Sequence, residues 1–343
     1  METDKSSSIL APRLDVLFSG ALSIALLIAL SIVGILNVST LPLQDFLILT
    51  ILINGTHFMA SYRLLYSSLA FANRYPWASY YVPGFLVTYT VTCFCLLSYY
   101  PNAINFLQAL TAVATLYLAL HYTGQCWGMV SSFAFLEGIR FEPKEKTLLR
   151  RTISFMALWH FIWALKLLWN PSSEYSLLIK AVDIFMNSLA VIALLAGLLC
   201  FGRVSKRICR PIPLRIVSPY LALFVWYGFL YFFPSAIFWV QISHALQYLP
   251  FPLRVEINRV SMESPKSNAG LQAAVYFLTL TITSLAIFGA IPHIATSIGT
   301  GAYNGWVALA AIINIHHYYI DGCIWRISNP VVSEELFSHT TAR

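Results

Sequence analysis

Histidine is the residue type whose placement in this sequence most strongly suggests chemistry. Six of the eight histidines fall inside long apolar runs, where polar side chains are costly and tend to mark a functional site. They are His57, His121, His160, His244, His316 and His317. His293 falls in a predicted loop and His339 in the polar tail, and we assign neither a role. Imidazoles at similar depth on separate helices predict a metal site, because imidazole is the commonest metal ligand of proteins.

Polar side chains lie about one helical turn from several of these histidines. The groups are His57 with Asn54 and Ser61, His121 with Gln125, His244 with Gln247, and His317 with Asp321. A metal-bound imidazole usually donates a hydrogen bond from its other ring nitrogen to such a partner. We therefore expect Gln125, Gln247 and Asp321 to orient the ligands or to bind the metal themselves. Tyr62, Tyr122 and Tyr248 are candidates for proton or electron delivery, or for ordinary packing.

The type of metal follows from the donor atoms. Imidazole with an occasional carboxylate suits iron, zinc or copper, whereas magnesium and calcium prefer oxygen ligands. A ferritin-like site needs glutamates from several helices, and acidic residues are scarce in the apolar runs. We expect iron, with zinc or copper as alternatives. The expected ligands are His57, His121, His244 and His316, with His160 and His317 as further candidates. Adjacent His316 and His317 point about 100° apart on a helix. Both can therefore be ligands only if two metals are bound or if the helix is locally distorted.

Composition identifies the elements that must position these side chains. Of 343 residues, 58% are hydrophobic and only 10% are charged, against about 25% charged in soluble domains. This excludes a disordered chain, a collagen-like fibre and a secreted disulfide scaffold. The net charge of +7 is dispersed between apolar runs, so it does not indicate a nucleic-acid partner. The sequence predicts an all-α bundle in a lipid bilayer, forming a single domain over residues 1–343.

Ten apolar segments are long enough to cross a membrane, since about 20 residues are needed. They lie near 14–36, 44–69, 80–99, 103–137, 147–169, 176–201, 214–232, 235–253, 271–291 and 303–327. The seventh and eighth come from one run of roughly 60 Å, about twice the hydrocarbon thickness, which we divide at Pro234. Lys and Arg concentrate in alternate loops, which predicts that both termini are cytoplasmic. We expect a multi-pass cell-membrane protein, in the inner membrane if the source is bacterial.

Two short motifs carry a resemblance. Residues 314–326 read Asn-Ile-His-His-Tyr-Tyr-Ile-Asp-Gly-Cys-Ile-Trp-Arg and residues 244–249 read His-Ala-Leu-Gln-Tyr-Leu. Both runs resemble motifs of uncharacterised bacterial multi-pass membrane proteins. More broadly, the chain is similar to membrane-embedded histidine-motif oxygenases, namely desaturases, hydroxylases and carotene-cleaving dioxygenases, although it lacks their box of histidines three or four residues apart. The resemblance implies non-haem iron held by the histidines named above.

Two classes of function use such histidines. The first is a metal-dependent oxidoreductase acting on a lipid-like hydrophobic substrate, with a separate electron-transfer partner. The second is a transporter or channel for a metal ion, a proton or a small polar solute. A structural role, in which the histidines only bond helices together, is a third reading. A cluster at one depth favours catalysis and a string at several depths favours transport. We expect His57, His121, His244 and His316 to lie within about 10 Å of one another, given the similar depths of their helical positions.

Overall fold

The protein is described from a computed structural model that covers residues 8–36, 45, 48–169, 176–263, 268–290, 302–325 and 329–340. Within these ranges the chain forms helices joined by turns and contains no strand, which confirms the predicted all-α class. His293 and residues 38–42 and 170–175, which lie between predicted spans, are outside the described residues.

The helices are numbered in chain order. They are α1 (Pro12–Ile32), α2 (Thr56–Leu65), α3 (Leu69–Arg74), α4 (Trp77–Leu97), α5 (Pro101–Leu136), α6 (Pro143–Trp169), α7 (Ser176–Arg207), α8 (Leu214–Phe232), α9 (Ile237–Tyr248), α10 (Pro250–Glu263), α11 (Ala269–Ala290), α12 (Ala302–Ile324) and α13 (Pro330–Phe337). Seven of the described helices are long and apolar enough to cross a membrane: α1, α4, α5, α7, α8, α11 and the Gly305–Ile324 part of α12. Seven apolar helices indicate a membrane-embedded protein.

The other three predicted spans take different forms. The segment near 44–69 contains a π-helical stretch, Thr50–Gly55, that runs into α2. α6 has the length of a span, but its first turns are rich in charged residues. The segment 235–253 is divided between α9 and α10, and α9 has only 12 residues, about 18 Å. The predicted break at Pro234 is present, since α8 ends at Phe232 and a short 3-10 turn follows.

Large apolar side chains point outward along the long helices. Ile32, Phe85 and Leu199 are 80%, 67% and 66% exposed within the chain. Contiguous apolar surface of this kind is rare on soluble monomers but suits contact with lipid tails.

Contacts divide the helices into two units, Met1–Leu41 with Ala119–Gln247, and Pro42–Leu118 with Tyr248–Arg343. In the first unit, α1 lies directly against α8. A Cβ on Gly20 would come within 2.3 Å of the Ser218 carbonyl oxygen, so only glycine allows this approach. The hydroxyls of Ser19 and Ser218 share a hydrogen bond, and the Trp226 indole donates to Ser23. α6 packs on α7, and Tyr220 of α8 donates to the Ala193 carbonyl oxygen of α7 at 2.7 Å.

Charged residues at helix ends of the first unit form buried and half-buried ion pairs. Arg215, at the start of α8, contacts Asp15 of α1 (Nη1 to Oδ2, 3.0 Å) and Glu137 after α5 (Nε to Oε1, 3.0 Å). Arg207 of α7 donates to Glu145 of α6 (Nη2 to Oε2, 2.8 Å). The start of α1, the end of α5 and the start of α8 therefore lie at one edge of this unit. The sequence prediction also places these three ends on one side of the membrane.

The electrostatics of Glu145 follow from this pairing. Burial acts to raise the pKa of Glu145, but hydrogen bonds from Arg207 and the Glu142 backbone N–H, together with the Arg207 charge, outweigh it. The pKa of Glu145 therefore lies below its ordinary value, and the carboxylate is held in its charged form.

In the second unit, α2 packs between α11 and α12. A Cβ on Gly55 would come within 1.8 Å of Ser284 Oγ, and that hydroxyl donates to the Ile51 carbonyl oxygen at 2.8 Å. α12 also packs on α4 and on the first half of α5 through a cluster of buried apolar residues: Leu86, Leu110, Ala114, Ala311 and Ile315. This packing fixes the face of α12 that carries its histidines.

Candidate metal centre

His121 of α5 and His244 of α9 form a direct pair in the first unit. Their Nε2 atoms are 2.8 Å apart, and both side chains are buried. One ring donates the hydrogen bond and the other accepts it, so the pair shares a single proton at this contact. A metal ion bound there would replace that proton, because a ligating imidazole nitrogen must be deprotonated.

Two glutamines accompany this pair. Gln125 Nε2 donates to the backbone oxygen of His244 at 3.2 Å, so Gln125 holds the helix position of His244. Gln125 Oε1 and Gln247 Nε2 are buried and have no hydrogen-bond partner among the described residues. Buried polar atoms are normally paired. These two atoms therefore fit a site that takes up a further polar group.

Aromatic rings surround the pair on the side of α6 and α8. The Tyr122 ring, almost fully buried, lies 4.6 Å from the His244 ring and 5.5 Å from the Trp226 ring, centroid to centroid. His160, which we had considered as a ligand, lies 6.2 Å from Tyr122, and its Nδ1 is 3.2 Å from the Tyr227 hydroxyl. His160 therefore lies in the neighbouring aromatic layer.

His57 of α2 and His317 of α12 form a second pair, in the second unit. Their ring centroids are 4.4 Å apart at a nearly perpendicular angle, and both side chains are almost fully buried. Tyr248 packs edge-on against His57 at 4.3 Å. On the same helix as His317, Asp321 places Oδ2 3.4 Å from His317 Nε2. The contact that helical spacing predicted for this carboxylate is present.

Asp321 is itself held by hydrogen bonds. Its Oδ1 accepts from the Ser61 hydroxyl at 2.7 Å and from the Tyr248 hydroxyl at 3.1 Å, and the Trp325 indole donates to Tyr248 at 2.7 Å. Carboxylates held in this way orient metal-bound imidazoles. Trp325 is not among the predicted site residues, although it stands at i+4 from Asp321, the same spacing that identified Asp321 beside His317.

His316 has a different environment from its neighbour. Its Nε2 donates to the Ala78 carbonyl oxygen at 2.6 Å, and its Nδ1 accepts from the Tyr62 hydroxyl at 2.9 Å. Both ring nitrogens of His316 are thus engaged in joining α12 to α4 and α2. Of the adjacent histidines, the structure brings His317 to His57.

Four buried histidines form one group that could hold a metal ion: His57, His121, His244 and His317. Each offers one ring nitrogen, and these nitrogens lie within 4.8 Å of one another. Imidazole nitrogens are ligands that iron, zinc and copper accept, so the donor chemistry of these residues fits a metal.

The described residues thus combine a four-histidine group with helices apolar enough to cross a bilayer. This combination is compatible with a metal site in a membrane protein. Imidazole donors leave iron, zinc and copper as candidate metals, since all three accept nitrogen ligands. Compared with protein-family models, with curated proteins and with solved structures, the chain shows no match.

Proposed function

We propose that this protein is an integral membrane metalloenzyme, a non-haem iron oxygenase or oxidase that acts on a lipid-like hydrophobic substrate. The observation that carries the proposal is the four-histidine group, whose ring nitrogens lie within 4.8 Å of one another. The ligands are His57, His121, His244 and His317. A group at one position supports catalysis over transport, because a transport pathway needs sites at successive depths.

Iron is the metal that suits this ligand set and an oxidation. If iron were bound, the four imidazoles would hold it and the metal would supply the activation of dioxygen. Zinc and copper accept the same ligands and are the alternatives. The ligands are neutral, and the Asp321 carboxyl group lies beside His317.

The chain's own residues position the ligands and keep the site dry. Asp321 fixes the ring orientation of His317, and the hydroxyls of Ser61 and Tyr248 fix Asp321. Gln125 fixes the backbone at His244. Tyr122 covers the His244 ring and excludes water from that side.

The proposal includes the membrane topology predicted from the sequence, with ten spans, cytoplasmic termini and a location in the cell membrane. The ion pairs of Arg215 and Arg207 support it, because they gather loops that the positive-inside pattern assigns to the cytoplasm. The substrate enters from the bilayer, and the electrons come from a separate donor.

Metal analysis of the purified protein and of two adjacent-residue variants tests the proposal. Wild type is expected to carry about one iron per chain, His317→Ala to lose it, and His316→Ala to retain it, because four ligands define the site. His339→Ala, in the tail, controls for nonspecific binding by histidine. Folded wild-type protein without metal, or metal loss confined to His316→Ala, would contradict the proposal.

A further inference from the structure

A cavity of about 130 Å³ lies within the first unit, apart from the four-histidine group. It is formed by α6, α7 and the end of α8, and the residues that matter to its chemistry are Trp159, Trp163, Lys166, Asp183, Met186 and Tyr231. An apolar cavity of about 150 Å³ is enough for benzene. At about 130 Å³ the cavity is slightly smaller than this, so it encloses most of one six-membered ring and its open mouth leaves room for the remainder.

The mouth of the cavity is apolar and open. Leu167 and Tyr231, which line it, are 51% and 42% exposed on the outward surface of their helices. In a membrane-embedded chain that surface faces lipid. A molecule that reaches the cavity by this route must dissolve in the bilayer, and a hydrocarbon tail on the ring can remain among the lipids.

The walls combine aromatic surface with a few polar groups, as ligand pockets usually do. Trp159 and Trp163 stack on each other at 6.5 Å and 15°, one turn apart on α6. The Trp163 side chain is buried, and its Nε1 has no hydrogen-bond partner among the described residues. Lys166 donates to Asp183 and, as an ammonium group, keeps two further N–H donors. The lining thus fits a ring whose oxygens accept from nitrogen donors or donate to a carboxylate.

A series of aromatic side chains leads from this cavity to His244. Ring centroids are 5.2 Å apart from Trp163 to His160, 6.2 Å from His160 to Tyr122, and 4.6 Å from Tyr122 to His244. The four residues come from three helices, α5, α6 and α9, and the series remains within the first unit. It connects the cavity wall to a proposed metal ligand through side chains that can carry charge.

We propose that this cavity, the Trp163 cavity, binds the ring of a membrane hydroquinone or quinone, and that Trp163, His160 and Tyr122 conduct electrons from the ring to the metal centre. The proposal rests on the proposed function for its electron acceptor. The electron donor is then a lipid-soluble small molecule. The binding site itself is defined by the cavity and does not depend on the metal.

The reaction balances with dioxygen as the oxidant. Oxidation of a hydroquinone to a quinone breaks two O–H bonds and releases two electrons and two protons. The electrons follow the aromatic series, and the two protons leave through the Asp183 carboxylate to water at the membrane surface. Two protons from water are taken up where dioxygen is reduced. With a substrate C–H bond and one dioxygen, the products are one substrate hydroxyl group, one quinone and one water.

Binding of tritiated decylubiquinone to full-length, metal-depleted protein in nanodiscs tests the site. Wild type is expected to bind it, and Met186→Trp, which fills the cavity, is expected to bind at least about tenfold more weakly. Met186→Leu preserves the volume and should bind like wild type. Trp163→Phe keeps an aromatic ring but removes the indole N–H, with an expected loss of about three- to tenfold in affinity. Thermal unfolding of each variant verifies that it is folded.

Equal binding by wild type and Met186→Trp, or displacement of the quinone by oleate at equal concentration, would overturn the site. A folded Trp163→Phe variant that binds the quinone like wild type would overturn a hydrogen bond from the Trp163 N–H to a ring oxygen.

Electron transfer is tested separately in metal-loaded protein by stopped-flow reduction of the metal with decylubiquinol. Tyr122→Phe is expected to bind the quinone normally and to slow metal reduction at least about tenfold, which is about 1.4 kcal/mol in the barrier. An unchanged reduction rate would overturn the conduction path. A protein that binds the quinone in the cavity but never holds a metal would refute the proposed function and the path, while the ring site would stand.

Discussion

Replacing Asp321 with asparagine tests how the chain orients a proposed metal ligand. The change is nearly isosteric, so packing is kept, and an amide oxygen at the Oδ1 position still accepts from Ser61 and Tyr248. At the Oδ2 position, however, an amide N–H₂ replaces the acceptor that faces His317 Nε2 at 3.4 Å. Two donors then face each other, and the His317 ring loses the partner that fixes its tautomer.

The size of the effect follows from the role of such partners. Loss of a carboxylate behind a metal-bound histidine costs about 10- to 100-fold in metal affinity, or about 1.4 to 2.7 kcal/mol. Competition titration of iron against a chelator, in detergent at neutral pH, measures this difference. Asp183→Asn, a carboxylate change in the first unit away from the four histidines, serves as the matched control and should bind iron like wild type. If Asp321→Asn binds iron as tightly as wild type, Asp321 does not orient a ligand and the reasoning is refuted.

Three further predictions concern stability and pH. Gly20→Ala should lower stability by about 1 to 3 kcal/mol because its Cβ would meet a backbone oxygen, whereas Gly84→Ala, with open space around it, should not; thermal unfolding compares them. Arg215→Met should cost about 3 to 5 kcal/mol because it leaves the buried Asp15 carboxylate without a charged partner. Arg210→Met, at a more exposed pair, should cost about 0 to 1 kcal/mol, and equal costs would contradict this. The pKa of Glu145 is lowered in the folded protein, so its contribution to stability should be fully present above about pH 4.3 and lost as the pH falls further. The difference in free energy of unfolding between wild type and Glu145→Gln should therefore shrink below that pH.

Helix boundaries show what local sequence could and could not predict. The break at Pro234 follows from span length and the proline, and it is present in the structure. The break after Tyr248 was not predicted, although Pro250 disfavours helical geometry at the residue before it. Because residues 235–253 form one apolar run of span length, the sequence predicted a single helix there.

The candidate site shows a similar limit. Helical spacing identified the contact between His317 and Asp321, since both lie on one helix. It could not choose between His316 and His317, which point about 100° apart, because the choice depends on where α2 and α4 pack against α12. Ala78 and Tyr62 form hydrogen bonds with the two ring nitrogens of His316, and the His57 ring packs against His317. Such contacts join residues more than 200 positions apart and are invisible to local pattern.

The central claim is that four histidines hold one metal ion within the membrane-embedded chain. X-ray absorption spectroscopy of the purified, metal-loaded protein tests it most directly, because the method identifies the element and counts its imidazole ligands. We predict iron with about four histidine nitrogens in wild type, and no iron signal from His317→Ala. A metal coordinated by one or two imidazoles, or a spectrum unchanged by His317→Ala, would contradict the claim.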